Sequence, residues 1–382
     1  MKRSVILLAS LAVFSCAFSQ NLAKNEAKSL QAFAMQQSAK GGTNGDALGF
    51  SGNNVANMPG ITIENGHVTA IKWDKKDLAG SLDLTNFPAL TTVNVSDNKL
   101  TSLNVNGAPA LTDLKASKNR LVTVTLQGVE QLQNLYLNKN RISEIDLGAV
   151  PFITRLNLSS NHLEALDVSN AANLVYLNVI SNKLESLTVA NCTALKTLYA
   201  GYNDLTGITL SGLAKLQNLN VQGNKIKNLY IQDLPSLGFL ACNDNSMVAL
   251  QLTGCATLTD VFAPYNDLTS FNVNNVPNLA FVNLEWNDLV NVTLSNQNLL
   301  QRLDISNNQL QMLDVSFDPM LRYLNISNNV NLTDLRTTAD NNLTQIVGDW
   351  TGLNFQEPDA MVNPGPVMPP MGPGPVIPDE DE

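Results

Sequence analysis

Three carboxylates in the middle of this 382-residue chain, Asp244, Asp260 and Glu285, lie among aromatic residues and are the side chains whose type could do hydrolytic chemistry. Glycan hydrolysis needs two carboxyl groups, one held protonated as an acid and one ionised. That division requires burial or a like charge to raise one pKa. The chemistry therefore depends on whether the fold buries any of the three. The same acids could bind calcium, but no calcium-loop motif surrounds them. The two histidines, His67 and His162, have no Ser, Cys or metal-ligand pattern around them. The cysteines, Cys16, Cys192, Cys242 and Cys255, form no CxxC pair and read as neither a disulfide framework nor a zinc site. No catalytic group, cofactor site or metal site is expected.

The elements that must position these residues come from an internal repeat. From Leu90 the chain repeats every 21 residues through eleven units, and a twelfth begins at Leu321. The unit reads LxxLxLxxNxLxxLxV, with the first Leu as position 1. Position 9 is Asn in all twelve units, from Asn98 to Asn329. A turn stacked between coils leaves backbone N–H and C=O groups that need partners, and an amide side chain both donates and accepts. The asparagines therefore read as a structural ladder and not as ligand contacts. Positions 4 and 6 alternate with outward positions, which predicts a short strand with one inward face. Positions 14 and 16 alternate as well and predict a second extended segment on the opposite side. Cys242 falls on inward position 6, and Cys192 and Cys255 fall on position 19 beside Ala and Val, so these three read as small core residues.

The period and the LxxLxLxxNxL core resemble the leucine-rich repeat signature, specifically that of bacterial secreted leucine-rich repeat proteins, distantly internalin-like. The resemblance covers residues 20 to 356. It implies a right-handed β-solenoid, mostly β, with a parallel sheet on one face that usually binds the partner. The unit of 21 is one residue shorter than that of internalin-type adhesins, so their particular partners do not carry over. A thin back face predicts a gently curved rod. Residues 68–335 form the repeats, with an irregular first unit carrying Ile71, Trp73, Leu78, Leu82 and Leu84. An array needs caps. Residues 20–67 supply an N-terminal cap, with a helix over 21–37 turning Leu22, Leu30, Phe33 and Ala34 inward. Residues 336–356 close the other end, with Leu335, Leu343, Ile346 and Trp350 as cap residues.

Residues 1–19 read as a signal peptide: Lys2 and Arg3, an apolar run from Ser4 to Ser15, and Ala17-Phe18-Ser19 before Gln20. The run is too short to span a bilayer. The expected location is secreted or cell-surface. Lipid anchoring at Cys16 in the bacterial envelope is the alternative, although Phe14 fits a lipobox poorly. Residues 357–382 are Pro/Gly-rich and read as a disordered tail. Six acidic residues lie in it, and no Lys or Arg follows Arg336. The net charge of −10 argues against nucleic acid and anionic membrane as partners.

Binding is the remaining chemistry. Nine aromatic residues of the regular units fall on the sheet side or its rim: Tyr136, Tyr176, Tyr199, Tyr202, Phe239, Phe262, Tyr265, Phe281 and Trp286. Phe152, Tyr230 and Phe317 fall elsewhere, and Tyr323 extends the sheet-side set. Eight of the nine occupy units five to ten, a stripe spanning roughly 24 Å at a strand spacing of ~4.8 Å. Tyr176, Tyr199, Tyr202, Phe239, Phe262, Tyr265, Phe281 and Trp286 are the candidate ligand-binding residues, since exposed apolar patches mark interaction sites. Cross-strand stacking for stability alone is the competing reading. Lys115, Lys118, Lys139, Arg155 and Lys196 lie on the early units. Asp244, Asp260, Glu285 and Asp304 lie on the later ones, with Arg302 and Arg322 beyond. On an open sheet these acids are expected to stay solvated, with nothing to raise a pKa. The sequence thus predicts a non-catalytic extracellular interaction protein that binds a protein partner, such as one on a host or neighbouring cell. The alternatives are a glycan-binding surface protein and an envelope spacer without a dedicated ligand.

Overall fold

The computed structural model describes residues 22–349 apart from 275, 295–296 and 338–341, together with residue 353. The residues read as a signal peptide, Cys16, Trp350 and the acidic tail lie outside the described residues. The chain is a mostly β solenoid. Each regular unit places a three-residue strand at positions 3 to 5, such as Tyr176–Asn178 or Thr197–Tyr199. These strands join a 15-stranded sheet that is parallel except for its first pair. Leu177 pairs with Leu198 and Leu198 with Leu219, so the register advances by the sequence period and like positions stand side by side. The second extended segment forms shorter sheets of three, two, four and two strands on the other side.

The core lies between these two walls. The position 1 residues from Leu90 to Leu321 and the position 11 residues from Leu100 to Leu310 are fully buried. Truncating any of them to Ala would cost ~2 to 5 kcal/mol. The back wall is thinner: Val124, Ile145, Ile208 and Val292 at position 14 are only partly buried. Cys192, Cys242 and Cys255 are buried and unpaired by any disulfide.

The asparagine ladder binds unit to unit. Asn119 Oδ1 accepts from the Leu100 N–H of the preceding unit. Its Nδ2 lies 2.9 Å from the Val95 carbonyl, 3.1 Å from Ala116 and 3.2 Å from Ser117. Asn308 repeats the set with Leu289, Leu284, Ile305 and Ser306. One side chain therefore satisfies backbone groups in two coils.

The helix Lys24–Ala34 closes the first end, with Leu30, Phe33 and Ala34 buried. Phe33 stacks on Trp73 at 5.5 Å. Glu26 is fully buried and accepts from the Val68 N–H at 2.8 Å, with His67 Nδ1 at 2.7 Å. The strands Ile61–Glu64 and His67–Lys72 form an antiparallel pair that starts the sheet. At the other end, strand Gln345–Val347 is last in the sheet, over the buried Leu335 and Leu343.

Candidate functional site

The rim of the sheet is set by position 8. Its backbone is left-handed in every regular unit, with φ between 52° and 59° at the eleven non-glycine residues and 62° at Gly223. The N–H of each position 8 residue from Asp97 to Asn307 reaches the position 7 carbonyl of the next unit, as in Tyr202 to Gln222 (2.7 Å), Asp244 to Pro264 (3.1 Å) and Trp286 to Ser306 (3.0 Å). The coil-to-coil bonding thus dictates the conformation whatever the side chain. A left-handed backbone costs most L-residues about 1 to 2 kcal/mol, while Gly, Asn and Asp adopt it cheaply. Asp97, Asp244, Asn307 and Asn328 follow that preference. Lys118, Lys139, Ser160 and Ser181 do not, and neither do Tyr202, Tyr265 and Trp286, which are 52%, 50% and 52% exposed.

These three rings are arranged by their neighbours. Tyr265 and Trp286 stack at 6.1 Å with planes 12° apart. Tyr202 lies over Gly223, where an added Cβ would come within 2.6 Å of the ring. The glycine is required there twice, by its positive φ and by this close approach.

The other candidate residues divide. Tyr199, Phe239, Phe262 and Phe281 are half-buried, and Phe239 packs on Phe262 at 5.6 Å. Tyr176 is buried, contrary to the reading of it as an exposed contact. The Arg155 guanidinium lies 5.8 Å from its ring centroid, and Tyr199 meets it edge-on at 6.0 Å. Tyr136 and Tyr323 are buried in the same way, under Lys115 at 5.2 Å and Arg302 at 5.0 Å. The three buried tyrosines share one feature: a cation of the preceding unit lies over each ring. The rings on the rim leave half their surface in water although their neighbours follow the same spacing.

The acids also depart from expectation. Burial raises the Asp260 carboxyl above the usual carboxylate range, opposed by a hydrogen bond from Thr259. Burial likewise raises Glu285, against a lowering bond from Asn283 and with the nearby Asp304 adding to the rise. The residues packed around each acid supply that burial. Asp304 is not a free surface charge: it is buried and accepts from the Ser306 N–H and Oγ and from Asn325 Nδ2. Asp244 is exposed on the rim. His67 is engaged with Glu26, and His162 is exposed, so the two form no catalytic pair. Burial pushes the Cys192 thiol up to about 11 and raises Cys242 and Cys255 as well, which suppresses the reactive thiolate. Among the described residues no group of three or more His, Cys, Asp or Glu could hold a metal ion. No described helix is long and apolar enough to cross a membrane.

Two further features escaped the sequence reading. The left-handed rim could have been suspected from the Asn, Asp, Gly and Ser that recur at position 8. The buried Asp318, which accepts from the Gln297 N–H at 3.2 Å and whose carboxyl burial pushes up to about 7, had no signal beyond its core position 19.

No protein-family model matches the chain, and no curated protein does. Solved structures do. An internalin (inlF) of Listeria monocytogenes is 22% identical, with 86% of this chain and 93% of that chain covered at a TM-score of 0.54. The functional domain of InlJ from the same organism, which includes a cysteine ladder, is 23% identical, with 68% and 67% covered at 0.51. A PEPR1–AtPEP1 structure is 17% identical, with 88% of this chain and 55% of that one covered at 0.62. The chain has the leucine-rich repeat fold, in the 21-residue form that resembles bacterial proteins of the internalin kind. It carries no cysteine ladder of its own: Cys192 and Cys255 stand three units apart with Leu213 and Leu234 between.

Proposed function

We propose that the chain is a non-catalytic extracellular interaction protein that binds a protein partner through the rim and middle of its sheet face. The observation that carries this reading is the placement of Tyr202, Tyr265 and Trp286. Each occupies a backbone conformation that Asn or Gly would adopt at less cost, and each leaves half its surface in water. Strained positions held by unfavoured side chains cluster at functional sites, and large aromatics dominate binding hot spots. The half-buried Tyr199, Phe239, Phe262 and Phe281 provide an apolar floor beside them. The inferred secretion or surface location rests on the signal-like residues 1–19.

The test is a binding screen of the purified protein against extracellular proteins and a glycan panel, beside a Tyr202→Ala/Tyr265→Ala/Trp286→Ala variant. At ~2 kcal/mol per hot-spot ring, the variant should bind a protein partner at least a hundredfold more weakly while keeping its circular dichroism spectrum. Equal capture of a protein by both forms removes the stripe as the site. Capture of glycans alone replaces the protein partner by a sugar.

A further inference from the structure

The interaction face contains one place whose chemistry specifies what it takes. Along the rim, Tyr202, Gly223, Asp244, Tyr265 and Trp286 hold position 8 of five successive units, with neighbours ~4.8 Å apart. Tyr202 leans into the space above Gly223. Tyr265 has one face against Trp286, so its other face looks back along the row toward Asp244. The exposed carboxylate of Asp244 therefore stands between two aromatic walls.

Beside it lies Asn243, 8% exposed. Its Nδ2 donates to Asp244 Oδ2. That bond fixes which end of the amide is nitrogen, since the oxygen would be repelled by the carboxylate. The notch thus presents the exposed Asp244 carboxylate, braced by Asn243, between ring faces.

We propose that this notch receives an arginine side chain of the protein partner, an inference that rests on reading the stripe as the binding face. A guanidinium is planar, weakly hydrated, and stacks on aromatic faces while its fork of N–H groups matches the two oxygens of a carboxylate. The surroundings match in sign: Asp260 and Glu285 follow on the same face. Lys225 one unit before is tied to Asp204 at 2.7 Å. A carboxylate ligand would meet repulsion here, and a neutral sugar would be indifferent to the charge of Asp244.

The probe is a capped Gly-Arg-Gly peptide titrated against the full chain at millimolar concentration by ligand-observed NMR, beside its citrulline counterpart, which keeps the shape and loses the charge. The arginine peptide is expected to bind at least tenfold more tightly than the citrulline one. Asp244→Asn should abolish that preference, and Tyr202→Ala should weaken the arginine peptide several-fold. Asn is accepted at this backbone position, as at Asn307 and Asn328, so Asp244→Asn should fold. Asp97→Asn, an acid on the same rim without flanking rings, should change nothing. Equal binding of the two peptides, or an equal loss in Asp97→Asn, overturns the proposal. A macromolecular partner lost by the triple aromatic variant but held fully by Asp244→Asn overturns it too, while leaving the stripe as the binding face.

Discussion

Units two to five and units six to ten carry aromatic rings on the same face, and the two regions use them in opposite ways. In the first, Tyr136 and Tyr176 are 8% and 5% exposed, and each lies under a cation from the preceding unit, Lys115 or Arg155. In the second, Tyr202, Tyr265 and Trp286 stand half in water. The difference is position. The two buried rings, at positions 5 and 3, lie under those cations, whereas the exposed ones stand at position 8 on the left-handed rim. The side-chain type alone therefore does not say whether a ring stabilises the solenoid or waits for a partner.

The comparison breaks most visibly under truncation. Tyr176→Ala should destabilise the protein by about 3 kcal/mol or more, as removal of buried aromatic rings does. Tyr265→Ala should cost less than about 0.5 kcal/mol, since an exposed ring on a strained backbone gives little back. Denaturant titration of both variants, compared by midpoint at matched slope, reads the contrast. Equal midpoint shifts would mean that the rim rings stabilise the array as the inner ones do.

The repeat made most of this legible before any coordinates. Twelve asparagines in register implied the ladder, because only a side chain that donates and accepts can serve stacked turns. The buried apolar positions followed from the same period, and so did the existence of a sheet face. The two populations of aromatics were not legible. Whether Tyr176 is covered depends on Arg155 and Thr197, which are neighbours across the sheet and not along the chain. The burial of Asp304 and the rise of Glu285 have the same origin, since crowding by adjacent units is a two-dimensional fact. The buried Glu26 gave no sign either, because its partners lie about forty residues away, at His67 and Val68.

The rim itself is tested by Gly223. Gly223→Ala places a Cβ at positive φ and against the Tyr202 ring, and should cost about 1 to 2 kcal/mol. Tyr202→Asn should be neutral or stabilising by up to about 1 kcal/mol, as Asn suits the left-handed backbone. In the double variant the clash is gone and only the strain at residue 223 remains. A double-mutant cycle should therefore show coupling between the two sites. Strict additivity would mean that the ring does not lie over the glycine in solution.

The smallest effect distinguishes the regions by acid response. Asp260 and Glu285, both in the exposed-ring region, have carboxyl pKa values raised by burial in the folded state. The folded protein then binds protons that the unfolded chain releases. The protonated state's contribution is complete below the unfolded carboxylate range and is lost as pH rises through the raised folded values. Relative to an Asp260→Asn/Glu285→Gln variant, the wild type should gain stability as pH is lowered from 7 toward 4. Both groups keep some contact with water, so the gain should stay below about 1 kcal/mol. The measurement is the difference in unfolding midpoint between wild type and variant across that interval. A difference that grows toward neutral pH in favour of the wild type would mean that both acids are held as stabilised carboxylates, and the crowding that sets this region's chemistry would have to be given up.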